Sequence, residues 1–521
     1  MRFVIDIPRV FDAPPKVSVE QFYGIEIEDF PCQIAQVGMW LAEHLMNMTV
    51  SEHFGQYCVR LPLTQSAVIV HGNALRIDWE SVVAKSKLSY ILSNPPCVGY
   101  SYQKKEQKED ILSCYRNSGG KPHKTAGKID YVAAWYYKAS KYLTGTQTRA
   151  AFVSTNSITQ GEQVAAVWKP LFEQFGIHID FAYRTFKWTN DGGEGGKAAI
   201  HCVIVGFSTG NDREKVIYDG DKRVVAKSIN PYLVDGQNIF IENRKEPICK
   251  VPKIVTGNRP ADGGNLIISG NDYDSFTTTE PNALEYIREF IGSEELINGT
   301  KRFCLWFIGI APGKLRQMPE VMKRIEACQQ YRLKSPKRAT RKCAEFPSHF
   351  MEIRQPSNNF LAIPEVSSER RQYVPIGYLS ASTIVSNKIF TISGATLYHF
   401  GVLTSSTHMA WTRAVCGRLG SGYSYSKGIV YNNFPWPDAT DDQKATVETL
   451  AQGVLDARAL YPGSSLADLY DPLTMPPELL KAHQALDRAV MKLYGFPTKD
   501  TTESDIVAAL MKRYQELTEG K

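Results

Sequence analysis

Asn94, Pro95 and Pro96 are the residues of this sequence best suited to do chemistry. They follow an apolar run, Tyr90–Leu92, that is typical of a short buried strand. Proline has no N–H for a strand ladder, so the strand must end there, and the two rings hold Asn94 in an extended conformation. The side-chain carbonyl of Asn94 and the backbone carbonyl of Pro95 then lie at a strand's C-terminal end, where ligands bind in open α/β sheets.

Two such acceptors could activate an exocyclic amino group of a nucleic-acid base. The lone pair of that nitrogen is delocalised into the ring. Hydrogen bonds from its two N–H groups to Asn94 and Pro95 would localise the lone pair without any strong base. For an isolated Asn-Pro-Pro, a rigid turn is the simpler interpretation. The neighbouring segments decide between the two.

Two strand ends upstream also carry polar side chains. Phe22–Ile27 indicates a strand ending in the carboxylate of Glu26, and Val68–Leu75 indicates a strand with the amide of Asn73 just past its end. A carboxylate at the tip of the second strand of a nucleotide-binding sheet is placed to bind ribose hydroxyls. The sequence thus has three strands in succession, with Glu26, Asn73 and Asn94 at or just after their ends. This arrangement resembles that of the S-adenosylmethionine-dependent N6-adenine DNA methyltransferases.

The resemblance covers essentially the whole chain and narrows to one branch of that family. The branch is the large methyltransferases of fused type II (type IIG-like) restriction–modification enzymes and their stand-alone relatives. The further segments that carry it are Asp130–Tyr136, Ala151–Ile158, Phe181–Trp188, Ser367–Arg371 and Tyr431–Pro437. Double-stranded DNA is the implied partner, with the target adenine flipped out of the stack.

The resemblance implies roles for named residues. The catalytic residues would be the four of the motif: Asn94, Pro95, Pro96 and Cys97. Glu26 would hold the ribose of S-adenosylmethionine and Asn73 its adenine. Phe186 and Trp188 are expected in a loop between two strands that overhangs the active site. There they would stack on the flipped base, although an ordinary packed aromatic loop is an equal alternative.

Cys97 departs from the family pattern, which has Phe or Tyr directly after Asn-Pro-Pro, stacked on the target base. Losing a stacking ring costs about 1–3 kcal/mol, or about ten- to a hundredfold in affinity or rate. Tyr100 or Tyr102 could compensate, although neither occupies the motif position. A nucleophilic Cys97 is disfavoured, because no base adjoins it and N6 methylation needs no covalent intermediate.

The N-terminus lacks a feature that the family requires. A cofactor-binding βαβ unit begins with a strand, a glycine-rich turn and a helix, and takes roughly thirty residues. Only twenty-three residues precede Gly24, and none of them is glycine. We therefore expect a catalytic domain without its first βα unit, and an upstream polypeptide is a candidate to complete the cofactor pocket.

Length and composition predict an α/β protein of several domains. The 521 residues are expected to form a Rossmann-like class I methyltransferase domain (1–245), an α+β target-recognition domain (246–437) and a helical C-terminal region (438–521). The ten cysteines include no C-x-x-C pair, which argues against a metal site and against a secreted disulfide framework. No apolar run reaches membrane-spanning length, and we expect a cytoplasmic protein.

Positive charge is concentrated between residues 301 and 350, with twelve Lys/Arg against three Asp/Glu, although the whole chain is only +6. Such a cluster favours phosphate contact over an ordinary solvated helix face, and phosphate contacts set position rather than sequence. The expected DNA-binding residues are Lys314, Arg316, Lys323, Arg324, Arg332, Lys334, Lys337, Arg338, Arg341 and Lys342.

Three functions are compatible with these features. The first is a site-specific DNA adenine N6-methyltransferase of a restriction–modification system. The second is a catalytically inactive, truncated DNA-binding remnant that lacks the glycine-rich cofactor motif. The third applies the same chemistry to protein glutamine amides or RNA bases, and the large basic second domain argues against it.

Overall fold

The computed structural model describes residues 17–54, 66–188, 200–211 and 213–519, which divide into two compact units. The first unit consists of the described residues up to 155 together with 166–186, 202–211 and 213–224. The second consists of 156–165, the described parts of 187–201, and 225–519. The mixed α/β class expected from the sequence is confirmed.

The first unit is built mainly from eight strands and five helices. The helices are α1 (Asp29–Phe54), α2 (Trp79–Val82), α3 (Lys105–Cys114), α4 (Ala133–Leu143) and α5 (Gly161–Phe175). The strands are β1 (Tyr23–Glu26), β2 (Val68–His71), β3 (Tyr90–Ser93), β4 (Arg149–Thr155), β5 (His178–Trp188), β6 (Ile200–Ser208), β7 (Lys215–Asp219) and β8 (Lys222–Ala226).

The strands of this unit form two separate sheets. Strands β1 and β2 make a parallel pair, with Glu26 opposite His71. The other six lie in the order β3-β4-β6-β5-β7-β8, with β3 parallel to β4 and β6 antiparallel to β4. The apolar runs at 22–27, 67–70, 88–92, 150–154, 178–182 and 198–207 predict strands from the sequence alone, and each run overlaps a strand of the structure, with shifted ends.

Two expectations about this sheet are wrong. Residues Phe186–Trp188 do not form a loop, because β5 continues through Trp188. The apolar runs at 178–182 and 197–207 also predict an antiparallel hairpin at the edge of the sheet, but β7 and β8 follow β5, so β5 and β6 are not at the edge. The sequence Asn190–Gly196, with four glycines, predicts a flexible loop, and this segment lies outside the described residues.

Aromatic rings fill the core of the first unit. The ring of Tyr136, on α4, lies 5.1–5.3 Å from those of Phe152, Trp168 and Phe207. Its hydroxyl is 3.0 Å from that of Ser154 on β4, so the buried phenol is satisfied. The helical spacing of the apolar and aromatic residues predicts core positions, and the structure buries all of them: Val132, Trp135, Tyr136, Ala139 and Leu143.

The second unit contains the remaining strands and helices. Its strands are β9 (Ile254–Thr256), β10 (Ile267–Ser269), β11 (Ile287–Ile291), β12 (Arg302–Leu305), β13 (Phe360–Pro364), β14 (Val366–Ser367), β15 (Gly377–Leu379), β16 (Ile384–Val385), β17 (Ile389–Ser393), β18 (Gly417–Leu419) and β19 (Gly422–Ser424). They form three small sheets, β10-β12-β11-β16, β15-β13-β17-β9 and β14-β19-β18.

Its helices are α6 (Tyr273–Thr279), α7 (Ser293–Asn298), α8 (Pro312–Arg316), α9 (Pro319–Leu333), α10 (Arg338–Lys342), α11 (Leu397–Leu403), α12 (Ser406–Val415), α13 (Asp441–Ala459), α14 (Leu466–Leu469), α15 (Pro477–Leu493) and α16 (Glu503–Glu519). The three long C-terminal helices were expected and are confirmed. The sequence predicts one helix near Leu397–Arg413. The structure has two helices there, because the Ser405 side chain caps a new N-terminus by accepting from the N–H of His408.

Candidate functional site

The motif residues lie at the C-terminal end of β3, where the sequence predicts them. Asn94 directly follows the strand and is exposed, and its amide makes no hydrogen bond within the described part of the chain. Pro95 is buried and Pro96 is exposed. A rigid, half-buried turn therefore presents an amide whose oxygen is free to accept from a ligand.

Cys97 closes this turn onto the neighbouring strand. Its sulfur lies 3.5 Å from the carbonyl oxygen of Pro95, to which the thiol donates, and accepts from the N–H of Thr155 at 3.3 Å. Burial raises the pKa of the Cys97 thiol, so that the group stays protonated at neutral pH. The thiol thus links the motif turn to the last residue of β4 by two hydrogen bonds.

The loop after the motif is held by residues that the sequence interpretation did not assign to the site. The carboxylate of Asp130 accepts from the N–H of Tyr100 at 3.0 Å, and Gln103 donates to the carbonyl of Ile129 at 2.8 Å. Both Asp130 and Gln103 are buried. The segment before α4, through Asp130 and the carbonyl of Ile129, therefore holds the loop that follows the motif.

Glu26 ends β1, as expected, and its carboxylate turns back onto the chain. One oxygen, Oε1, accepts from the N–H groups of Ile27 at 2.8 Å and Glu28 at 3.2 Å. The other oxygen has no partner among the described residues. The side chain is thus oriented by its own turn, with one oxygen left for hydroxyl groups of a ligand.

Asn73 follows β2 but is largely occupied by its surroundings. Its Oδ1 accepts from the N–H of Leu75 at 2.9 Å, and its Nδ2 donates to Asp110 at 3.1 Å. Only one N–H of the amide is left for a ligand. The adenine contact expected of Asn73 would use this remaining N–H, and the roles of Asn73 and Glu26 toward the cofactor stay predictions.

Asp110 is the centre of a network that sequence reasoning missed. Its buried carboxylate accepts from Asn73, from the Tyr131 hydroxyl at 2.8 Å and from Arg76 at 2.7 Å. Burial and this carboxylate raise the pKa of Tyr131, which keeps the phenol a donor. The only sequence signal was an acidic residue directly before the buried Ile111 of α3.

Phe186 and Trp188 lie two residues apart on β5. Alternation along a strand puts both side chains on the same face, with Trp188 37% exposed and Phe186 half-buried. The pair is therefore presented by a strand end, which holds the rings more rigidly than a loop would.

The ten basic residues predicted to bind DNA all lie in the second unit, and they differ in exposure. Eight are exposed on or beside α8, α9 and α10: Lys314, Arg316, Lys323, Lys334, Lys337, Arg338, Arg341 and Lys342. Arg324 is half-buried, donating to the carbonyls of Asn265 and Ile267 and lying over the ring of Phe276.

Arg332 is a correction to the expected DNA-binding set. It is fully buried, and its guanidinium donates to five backbone carbonyls, those of Pro260, Ala261, Cys343, Phe346 and His349, at 2.7–3.1 Å. No donor is left for phosphate. Its position on the inner face of α9 makes Arg332 a structural residue that ties this helix to the loops on either side.

Family descriptions match consecutive parts of the chain. Residues 5–219 match the MmeI DNA-methyltransferase domain, 235–438 the MmeI target recognition domain, and 439–520 the MmeI C-terminal domain. The chain is also 46% identical to the Type IIL restriction-modification enzyme MmeI, solved in complex with DNA. That match has a TM-score of 0.86 and covers 96% of this chain and 67% of that one. The chain belongs to the MmeI family.

A curated relative is also similar over nearly the whole chain. DNA methyltransferase A of Bacillus subtilis (strain 168) is 40% identical over 509 residues, which are 97% of this chain. The MmeI-type chain spans 57% of the length of that relative. The matched parts include both a methyltransferase domain and a recognition domain.

Two further features concern what this MmeI-type chain could bind. No group of three or more His, Cys, Asp or Glu side chains in the described ranges is arranged to hold a metal ion. None of the described helices combines the length and the apolar character needed to span a bilayer.

Proposed function

We propose that this chain is the site-specific DNA adenine N6-methyltransferase part of a cytoplasmic restriction–modification system. The observation that carries the proposal is the free, exposed amide of Asn94, held beside Pro95 at the end of β3. S-adenosylmethionine supplies the methyl group when it is bound, and the free oxygen of Glu26 is suited to its ribose. The side chain of Asn73 retains one N–H for the cofactor's adenine.

The two acceptors act on the amino group of the target base. Asn94 Oδ1 and the Pro95 carbonyl each accept one N–H, which returns the nitrogen lone pair from the ring and makes the amino group nucleophilic. In the structure the Pro95 carbonyl accepts a hydrogen bond from the Cys97 thiol. The stronger N–H donor of the base replaces this weak S–H···O bond. Pro96 keeps the turn rigid while this exchange takes place.

The target adenine reaches the site when it is rotated out of the DNA duplex. Phe186 and Trp188 offer aromatic faces on one side of β5 for the extruded adenine. The exposed cations around α8–α10, with the half-buried Arg324 behind them, are suited to the phosphate backbone. Arg332 takes no part, because all its donors are used within the protein.

A DNA-binding remnant without activity is the second candidate. Two observations favour it: Asn73 is engaged at both ends, and Pro95 has an internal donor. In this case a separate polypeptide would be needed to complete the cofactor pocket.

The test is methyl transfer from isotopically labelled S-adenosylmethionine to double-stranded DNA, with the modified base identified by mass spectrometry after digestion. We expect N6-methyladenine, and a loss of about 10²–10³-fold for Asn94→Ala, since one preorganised acceptor is removed. Ser93→Ala, one residue earlier, is the matched control and should keep its activity. A labelled base other than adenine would contradict the proposal, and full DNA binding without any methylation would support the remnant.

A further inference from the structure

Two arginines of the second unit share one carboxylate. Nη2 of Arg354 lies 2.6 Å from Oε2 of Glu352, and Nη1 of Arg259 lies 4.0 Å from Oε1 of the same side chain. The arginine side chains are 40% and 41% exposed, and that of Glu352 is 29% exposed. Each guanidinium therefore faces one oxygen of the carboxylate and has further N–H donors that a ligand can reach from solvent.

The backbone that carries these side chains is held on both sides. Arg259 and Glu352 are opposite each other in an antiparallel bridge, and their N–H and carbonyl groups are paired at 2.9 and 3.1 Å. The fully buried Asn258 accepts from the N–H of Arg354 at 2.6 Å and donates to the carbonyl of Val385 at 2.9 Å. Such a support fixes where the arginine side chains begin, which recognition of a flat ligand edge requires.

The same backbone segments are connected to the basic helices α9 and α10. Arg332, on α9, donates at 2.9 Å to the carbonyl of Pro260, the residue after Arg259. On α10, the hydroxyl of Thr340 lies 3.9 Å from the sulfur of Met351, the residue before the shared carboxylate. The arginine pair therefore adjoins the elements whose exposed cations are suited to phosphate.

The shared carboxylate makes the two arginines different from the exposed cations of α8–α10. Its negative charge cancels half of the positive charge of the pair, which weakens the attraction for phosphate. It also orients the guanidinium groups, and an oriented guanidinium can donate two parallel N–H groups to O6 and N7 of guanine. Contacts of this kind discriminate between bases, whereas phosphate contacts do not.

We propose that Arg259 and Arg354 read guanines of the DNA target site, and that Glu352 positions them. The cations of α8–α10 hold the phosphates, and each guanidinium reaches one guanine edge in the major groove. All three residues lie within 235–438, the part of the chain that matches the MmeI target recognition domain. The inference rests on the DNA binding of the proposed function and adds the chemistry by which the target is selected.

Selection of bound sequences from a pool of random DNA duplexes tests the inference without methylation. The parent chain should select a defined site that contains guanine. Arg259→Ala and Arg354→Ala should each lower the preference for guanine at one position by about tenfold or more and leave the other positions unchanged. The matched control is Arg338→Ala, which removes an exposed cation of α10 and should weaken binding to all sequences nearly equally.

Glu352→Gln separates positioning from a structural role. Loss of the carboxylate frees both guanidinium groups and adds one net positive charge. Binding of unrelated duplexes should therefore increase, while the preference for guanine at both positions decreases. A residue with only a structural role would lower both kinds of binding together. Denaturant unfolding should give nearly the same midpoint for the parent and for each variant, since partly exposed ion pairs contribute little stability.

Three results would overturn the inference: an unchanged selected site for the arginine variants, a uniform loss like that of the control, or no selection by the parent. Methylation of a defined site by the parent, with unchanged selection by the variants, would overturn this inference and leave the proposed function standing. Selection that depends on both arginines, without any methylation, would support this inference and overturn the proposed function.

Discussion

The backbone N–H of Thr155 donates to the sulfur of Cys97 across 3.3 Å. This bond joins the last residue of β4 to the motif at the end of β3, at the position where the family has an aromatic ring. At this position the thiol makes contacts within the protein, whereas under the proposed function an aromatic ring here would stack on the base. The thiol also donates to the carbonyl of Pro95, one of the two proposed acceptors.

Replacing Cys97 by Phe is expected to raise the affinity for an extruded adenine. A ring gains about 1–3 kcal/mol of stacking and releases the Pro95 carbonyl for the substrate. The measurement is binding of a DNA duplex with an abasic site opposite the target adenine. Cys97→Ala, which removes the thiol without adding a ring, is the control. An equal gain from both variants would show that release of Pro95, rather than stacking, is responsible.

Arg332→Met should destabilise the fold rather than weaken DNA binding directly. Five carbonyls lose their donor in a fully buried environment, so we expect the free energy of unfolding to fall by about 3 kcal/mol. Denaturant unfolding measures this. Arg338→Ala, at an exposed position, should change the unfolding free energy by no more than about 0.5 kcal/mol. Comparable stability of the two variants would contradict the structural role.

The same Arg338→Ala variant should weaken DNA binding in a salt-dependent way. Removing one phosphate contact lowers the slope of log affinity against log salt by about 1, nearly equally for different sequences. Titrations of labelled duplexes at several salt concentrations provide the slope. Lys481→Ala removes an exposed cation from α15, outside the basic cluster, and should leave the slope unchanged. Identical slopes for Arg338→Ala and the parent would exclude this residue from the interface.

Gly161→Ala should be more costly than an ordinary glycine replacement. Gly161 has φ +58°, and an added Cβ would lie 3.2 Å from the Cα of Gly417 on β18. The left-handed conformation costs about 1–2 kcal/mol, and the backbone contact adds to it. Gly420→Ala isolates the first contribution, since Gly420 has φ +62° and open space around it. If Gly161→Ala and Gly420→Ala lower the unfolding free energy equally, the contact with β18 adds no destabilisation and the prediction is wrong.

Stability should fall as the pH is lowered from about 6.5, partly because of His408. This histidine is fully buried, its Nε2 lies 3.0 Å from the hydroxyl of Tyr425, and desolvation lowers its pKa to about 3. Between the two pKa values the unfolded chain binds a proton that the folded chain does not, which costs about 1.4 kcal/mol per pH unit. Denaturant unfolding of the parent and of His408→Gln, at pH 7, 6 and 5, measures the difference. The exposed His44→Gln is the control, and parallel pH profiles for the parent and His408→Gln would contradict the assignment.

Local chemistry in the sequence determined the ends of the elements that carry the site. Proline stops β3 at Asn94, and apolar runs mark the strands that end at Glu26 and before Asn73, because these signals involve only neighbouring residues. The long C-terminal helices follow for the same reason, since their amphipathic periodicity is a local property.

Only the tertiary structure decided what those side chains do. Asn73 and Asp110 are thirty-seven positions apart and meet through folding, which occupies an amide that the sequence leaves available. In the sequence, Arg332 is one of many basic residues in the same segment. Its burial depends on carbonyls of loops more than ten residues away on either side. Strand β5 continues through Phe186 and Trp188, an extension that the aromatic residues there favour and that the sequence alone did not distinguish from a loop. These outcomes depend on packing and hydrogen bonds between residues that are far apart in the sequence. Local sequence patterns do not encode such contacts.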